Sequence, residues 1–272
     1  MEANPLPTKS NRRPARTETS PATLGFPHKR LPVGREPIRP LRNRWYRSCK
    51  HAADFVLAAL LAVPAVPIVF LAAALVRLTS RGPAFYTQTR VGEDGRLFTI
   101  WKIRSMIHNC ESLTGPRWSM PGDPRVTPIG SLLRVTHLDE LPQLWNVLRG
   151  EMSLIGPRPE RPEFVPELES ELPGYWQRLT LRPGVTGLAQ VQLPPDSDLF
   201  SVRRKLAHDL YYIRHLSPWL DVRLLVCTAL YALGLPFGLV GKWLGIPDGD
   251  TVEEAMSDAL EELPAPRARL SA

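Results

Sequence analysis

Two adjacent carboxylates, Asp139 and Glu140, stand at the head of an apolar run. Basic residues recur around them in short, clamped stretches. Lys102 and Arg104 lie in Lys102-Ile103-Arg104-Ser105-Met106, and Arg125 in Asp123-Pro124-Arg125-Val126-Thr127. Arg134 precedes the pair by five residues, Arg158 follows in Gly156-Pro157-Arg158-Pro159, and Arg182 in Leu181-Arg182-Pro183-Gly184-Val185-Thr186-Gly187-Leu188-Ala189-Gln190. A carboxylate can act as a covalent nucleophile or ligate a hard cation such as Mg²⁺, which needs few protein ligands. A guanidinium forks onto phosphate oxygens.

The elements that must position these groups are legible from periodicity. Leu141, Leu144, Trp145 and Leu148 recur at i, i+3, i+4 and i+7, which predicts one buried helix face. Asp139 and Glu140 fall in its first turn with Pro142 just inside, where the helix dipole favours acids and proline is tolerated. Taken alone, the pair reads as an N-cap and a dipole partner. In a helix the two point about a third of a turn apart, so only one can lie in line with a substrate. Residues 129–135 predict a short helix leading to them. Upstream, 84–89 and 97–103 predict strands around a tight turn at 93–96. Lys102 and Arg104 alternate with Trp101 and Ile103 and so project from one face, in isolation a solvated one. Residues 109–121 read as loop, and 123–125 as a turn. Downstream, 164–168 and 175–179 predict short helical pieces, 187–191 a short strand and 193–197 a loop. Residues 200–215 predict an amphipathic helix with Leu206, Leu210 and Ile213 inward and Arg203, Arg204 and Lys205 outward; His208 and His215 decorate it. Residues 251–263 predict a short acidic helix.

Residues 55–76 carry no charge, a length expected of a membrane helix. Basic residues flank both ends: Arg42, Arg44, Arg47 and Lys50 before, Arg77 and Arg81 after. Pro64-Ala65-Val66-Pro67 interrupts the middle, where each proline removes an amide donor. Together these predict a bent, re-entrant helix-break-helix whose two ends return to the cytoplasm, against an ordinary kinked spanning helix. Residues 216–244 are apolar but broken by Asp221, Arg223, Gly234, Pro236 and Gly238; with Trp219 and Trp243 they predict a helix lying at the interface, although 224–241 alone approaches the lower limit of a span. The net charge of +7 indicates anionic partners. Three scattered cysteines, Cys49, Cys110 and Cys227, predict apolar fillers, not a disulfide framework or a zinc site. Residues 1–40, rich in Pro and Arg, predict a disordered tail that is not a secretory signal.

This ordered set of motifs resembles the bacterial sugar transferases, the monotopic polyprenyl-phosphate phosphoglycosyltransferases, over about residues 47–228. The resemblance implies an α/β fold: a small mixed helix-strand catalytic domain, an N-terminal re-entrant membrane hairpin and interfacial amphipathic helices. It implies division into 1–40 (tail), 41–80 (re-entrant segment), 81–230 (catalytic domain) and 231–272 (interfacial segment and acidic tail). The implied reaction transfers a sugar-1-phosphate from a UDP-sugar to polyprenyl phosphate, releasing UMP and initiating exopolysaccharide or related glycan assembly. Asp139 would attack the sugar-bearing phosphate and carry a phosphosugar ester. Glu140 would assist at an Mg²⁺ shared with Asp139 or accept a proton. Arg134 takes the place of the family's phosphate-binding arginine, and Lys102, Arg104, Arg125, Arg158 and Arg182 are the further candidate phosphate ligands. The implied location is the inner membrane and its lipids, with the catalytic domain on the cytoplasmic face. A homodimer is left open.

Two other readings compete. A multi-span phosphotransferase acting on the same substrates would need more membrane-entering segments before its core. A membrane-anchored basic adaptor could bind anionic lipid or nucleic acid without catalysis, but the basic residues here are spread through motifs beside carboxylates, not clustered with aromatics on one helix. No nucleic-acid partner is therefore expected. The sequence does not name the sugar: glucose, galactose, N-acetylglucosamine and modified N-acetyl sugars are all open.

Overall fold

A computed structural model describes residues 31, 44–112, 115, 120, 122–172, 174–194 and 198–261. The expectations for the 1–40 tail, most of the 113–121 loop, residues 195–197 and the end of the chain fall almost wholly outside these residues. Within them the fold mixes helices and short strands behind one long apolar helix. Helix α1 spans Arg44–Thr79. Strands β1 (Phe85–Val91) and β2 (Leu97–Ile103) form an antiparallel hairpin around a tight turn at Glu93–Gly95. Helix α2 (Pro128–Val135), a 3-10 segment (Leu138–Gln143) and α3 (Leu144–Leu148) follow. Strands β3 (Ser153–Ile155) and β4 (Gly184–Thr186) pair in parallel, with α4 (Val165–Glu171) and a 3-10 turn (Tyr175–Thr180) between them. The rest is helical: α5 (Leu188–Gln192), α6 (Leu199–Arg214), α7 (Pro218–Ala232), α8 (Phe237–Leu244) and α9 (Gly249–Glu261).

Helix α1 stays helical through Pro64 and Pro67, so the expected break is not a change of secondary structure. Its buried positions are Tyr46, Lys50, Asp54, Ala58, Ala65, Ala72, Ala73 and Val76. Apart from Ala73 they recur every four or seven residues, which keeps them on one narrow stripe. Phe55, Leu60, Val63, Phe70 and Leu71 lie exposed around the rest. Among the described residues this is the one helix long and apolar enough to cross a membrane. Both halves of the stripe meet the same body. Tyr46 and Lys50 each donate to Asp221 Oδ2 at 2.7 Å, and Ser153 Oγ donates to Asp54 Oδ2 at 2.5 Å. Ala72 and Val76 pack with Ile103 of β2 and Leu133 of α2.

Four sequence expectations are corrected. Residues 188–192 are helical, not a strand; the strand lies earlier, at β4, because Gly156 and Gly184 let β3 and β4 approach until a Cβ on Gly184 would sit 2.1 Å from Gly156 N. Residues 224–241 do not form one apolar helix: Gly234, at φ 90°, and Pro236 separate α7 from α8. Lys205 is 8% exposed instead of outward-facing, although Leu206, Leu210 and Ile213 are buried as expected. Of the cysteines only Cys227 is a buried filler; Cys49 is exposed and Cys110 half-buried. Helix α9 joins the main core through Val252 and Met256, and Arg204 pairs with Glu253 at 2.6 Å.

Candidate active site

The Asp-Glu pair does not begin an α-helix. His137 turns the chain with a left-handed backbone (φ 56°), and the pair then lies in the 3-10 segment, ending with Pro142 and Gln143. No side chain caps that segment, so the simple N-cap role for Asp139 is not realised. Trp145 is 55% exposed and not on the buried face; Leu144, Asn146 and Val147 face inward instead. Asn146, fully buried, clamps α3 to β2. Its Nδ2 donates to Thr99 O at 2.7 Å and to Glu151 Oε2 at 2.8 Å, and its Oδ1 accepts from Trp101 N at 3.3 Å. That clamp sets the distance between the strand carrying Lys102 and the segment carrying Glu140. A polar residue inside an apolar run was the sequence signal for it.

Lys102 Nζ donates to Glu140 Oε1 at 2.6 Å, and Arg158 donates to the same oxygen at 2.9 Å. Arg158 is delivered by a fixed backbone: Arg178 donates to its carbonyl at 2.9 Å, Arg90 to Pro159 O at 3.1 Å, and Val91 N to Glu160 O at 2.9 Å. On the other side Gly130 packs so tightly on Ser105 that a Cβ would lie 1.9 Å from its carbonyl oxygen. This seats α2 so that Arg134, one turn on, donates to Ser105 Oγ at 2.9 Å.

The two carboxyls are driven apart electrostatically. Burial opposes ionisation of Glu140, but Arg158 and Lys102 outweigh it and hold the group well below the usual glutamate range. Asp139 is raised: burial dominates, Glu140 adds to it, and Lys102, Arg134 and Arg158 oppose it from nearby. Asp139 is 6% exposed, yet its carboxylate has no hydrogen-bond or ion-pair partner among the described residues. Burial lowers the Lys102 ammonium against the pull of Glu140, while Glu140 raises Arg158.

Three of the expected phosphate ligands stand elsewhere. Beyond Ile103 the strand has ended, so the alternation that paired Arg104 with Lys102 fails. Arg104 is buried and donates to Ser80 O at 3.0 Å, to Ser80 Oγ at 2.8 Å and to Arg81 O, fastening the end of α1. Arg125 forks onto Asp123 at 2.8 and 2.5 Å, and that partner holds Asp123 below its ordinary range. Arg182 lies 3.5 Å from Glu93, which also binds Arg47. Lys102, Asp139, Glu140 and Arg158 are brought together, with Arg134 beside them.

Asp139 and Glu140 Oε2, which accepts no hydrogen bond among the described residues, are oxygen donors of the kind Mg²⁺ takes. Among the described residues no three His, Cys, Asp or Glu side chains converge. The protein therefore offers two carboxylates here, and substrate oxygens would complete the shell of a cation.

A buried carboxylate with no bonding partner among the described residues, set among cations beside a long apolar helix, has the charge pattern to receive an anionic ligand. The chain belongs to the bacterial sugar transferase family, whose pattern matches residues 45–234. It is 44% identical over 184 residues to the UDP-N-acetylgalactosamine-undecaprenyl-phosphate N-acetylgalactosaminephosphotransferase of Aeromonas hydrophila, covering 67% of this chain and 43% of that protein. It is 42% identical over 181 residues to the UDP-glucose:undecaprenyl-phosphate glucose-1-phosphate transferase of Caulobacter vibrioides (66% and 67%). It is also 38% identical over 198 residues to the exopolysaccharide production protein PSS of Rhizobium leguminosarum bv. phaseoli (68% and 94%). The chain spans about two fifths of the length of several curated relatives that it matches.

Proposed function

We propose that this protein transfers a sugar-1-phosphate from a UDP-sugar to polyprenyl phosphate, with release of UMP, as the first step of exopolysaccharide or related glycan assembly. The observation that carries the reading is the Asp139 carboxylate: buried, without a hydrogen-bond partner among the described residues, and within the field of Lys102, Arg134 and Arg158. The relatives' names point to the same substrates. They divide between N-acetylgalactosamine and glucose, so the sugar is left open.

Asp139 attacks the sugar-bearing phosphorus of the donor; the bond to the UMP oxygen breaks and UMP leaves with the electron pair. An oxygen of the lipid phosphate then attacks the same phosphorus, and the Asp139–phosphorus bond breaks to regenerate the carboxylate. Dividing the transfer keeps the two anionic substrates from meeting at once. Glu140 is held ionised by its two cations. It orients Lys102 and Arg158, which face the phosphate oxygens, and Arg134, seated on Ser105, adds its charge near Asp139. Asp139 and Glu140 would hold an Mg²⁺, whose charge offsets that of the diphosphate when bound.

The membrane part of the proposal is that α1 enters and leaves on one face, with the catalytic body on the cytoplasmic side of the inner membrane and α7 and α8 at the lipid surface. Supporting it, both halves of α1 pack on the same body, both flanks are basic, and Pro64 and Pro67 each remove a helical hydrogen bond. Trp219 and Trp243 are exposed, as interfacial aromatics are. Labelling the exposed native Cys49 and a Thr79→Cys variant from one side of sealed vesicles tests it; reaction from opposite sides sinks it.

The test of the chemistry is a partial reaction. UDP-sugar and Mg²⁺ without lipid acceptor should give about one UMP per enzyme and a mass gain of one sugar phosphate on the peptide carrying Asp139. Turnover with no adduct in early-quenched samples would replace the relay with direct displacement. An adduct on Glu140 would reverse the roles of the two carboxyls.

A further inference from the structure

We infer that the small cavity lined by Arg90, Ile100, Lys102, Gln143, Arg158 and Pro159 is a phosphoryl-oxygen subsite in which the Gln143 amide is a direct ligand. Gln143 is 2% exposed, and its side chain makes no hydrogen bond among the described residues. A buried amide left without a partner is destabilising, and native structures rarely keep one without a reason. Its neighbour Asn146, equally buried, has every polar atom bonded. Two amides on adjacent turns thus have opposite states: one is a clamp, the other is an open hand.

The walls say what the hand takes. Three of the six lining residues are cations. Among the described residues no carboxylate lines the cavity: Lys102 and Arg158 share Glu140 Oε1 and Arg90 reaches Glu160 at 3.5 Å, both glutamates lying outside the lining. A neutral sugar hydroxyl would not require three cations around it, whereas a phosphoryl oxygen would, and the amide N–H adds a donor that carries no charge. Gln143 closes the same 3-10 segment that presents Asp139 and Glu140, so an oxygen held there is fixed relative to the reacting carboxylate. The inference rests on the proposed substrates. The oxygen belongs either to the donor diphosphate or to the lipid phosphate.

Gln143→Met keeps the length of the side chain and removes its polarity. With no bond to lose, the full chain carrying it, in lipid nanodiscs, should melt at or above the wild-type temperature. Its affinity for the phosphoryl probe should fall about tenfold to a hundredfold, the range for losing one hydrogen bond to a charged group. The probes are inorganic pyrophosphate, standing for the donor, and a short-chain alkyl phosphate, standing for the acceptor. Weakening of the first, with a raised KM for the UDP-sugar, assigns the subsite to the donor; weakening of the second, with a raised KM for polyprenyl phosphate, assigns it to the acceptor. Gln143→Glu should lose more affinity than Gln143→Met, because it sets a negative charge against the ligand. A lower melting temperature for Gln143→Met, or unchanged affinity for both probes, overturns the inference: the amide then holds only water or supports the fold. If wild type binds a probe through Gln143 but releases UMP from no UDP-sugar, the subsite stands and the proposed function falls.

Discussion

Two clusters of buried charge lie in this molecule, and they are finished to different degrees. Around Asp221, Tyr46 and Lys50 donate to Oδ2 and Tyr212 donates to Oδ1 at 2.6 Å, while Lys50 also lies 3.5 Å from Asp54. Both oxygens of Asp221 are taken. Around Asp139 there are more cations, Lys102, Arg134 and Arg158, but the first and last attach to Glu140 and Arg134 to Ser105, and among the described residues Asp139 is left without a bond. Burial is nearly the same, 6% exposure for each aspartate. Burial alone therefore does not tell the two aspartates apart; the missing partner does, and it fits the role proposed for Asp139.

The comparison is broken most severely at Asp139. Asp139→Asn should fold, melt no lower than wild type, and lose activity by about 10³-fold or more, roughly 4 kcal/mol of barrier. Equal melting temperatures with near-normal UMP release would return Asp139 to a structural role. Asp221→Asn should do the reverse. Breaking this buried pair leaves Lys50 with only the longer Asp54 contact at 3.5 Å and costs up to about 3–5 kcal/mol. A thermal melt should register that loss, while whatever remains folded keeps its specific activity.

The acid side of the pH profile sharpens the contrast between the two site carboxyls. The Asp139 pKa lies above the ordinary aspartate value of 3.8, so its nucleophilic form is lost as pH falls through that raised value. In stability the raised group works against the fold as pH rises through the same window. Glu140 has the opposite sign: its pairing contributes stability above the ordinary 4.5 that is lost only as pH falls through its depressed value. The expected kcat/KM profile has one acid limb, above pH 3.8, reached before the fold is lost. Glu140→Gln removes a neighbour that raises Asp139, so its residual activity should show that limb at lower pH. A limb that stays in place would mean that Asp139 does not set it. The smallest effect is expected at Arg182, which the structure gives to Glu93. Arg182→Ala should cost about 0–1 kcal/mol in a melt and change KM for the UDP-sugar less than about twofold.

The parts legible in the sequence were those whose cause is local. The hairpin followed from its turn residues, α6 from its periodicity and the Asp-Glu pair from adjacency. The helical reading of 138–148 was half right. Left-handed His137 tightens the first turn to 3-10, and that rotation turns Trp145 outward and Asn146 inward. Strands β3 and β4 are three residues each, too short for a pattern, and they exist because two glycines let distant backbones meet. Arg104 read as a ligand through its alternation with Lys102 and the family resemblance, and Arg182 as a guanidinium able to fork onto phosphate. Their actual partners, the carbonyls at the end of α1 and Glu93, lie more than twenty residues away. The Gln143 amide carried no signal at all, since a missing partner is a property of packing alone.

The tie between Lys50 and Asp221 spans 171 residues of chain. During synthesis the amino-terminal helix therefore leaves the ribosome long before its counter-charge exists. In that interval the available neutraliser is Asp54, one turn along the same helix and 3.5 Å from the ammonium. The i,i+4 pair thus serves as a temporary escort for a charge bound for the interior. Helix α1 carries a partner for its own buried ammonium, and the tie from Lys50 to Asp221 can form only once α7 has been made. The order of translation becomes the order in which the tie's parts exist: α1 first, the elements it packs on second, the Asp221 end of the latch last.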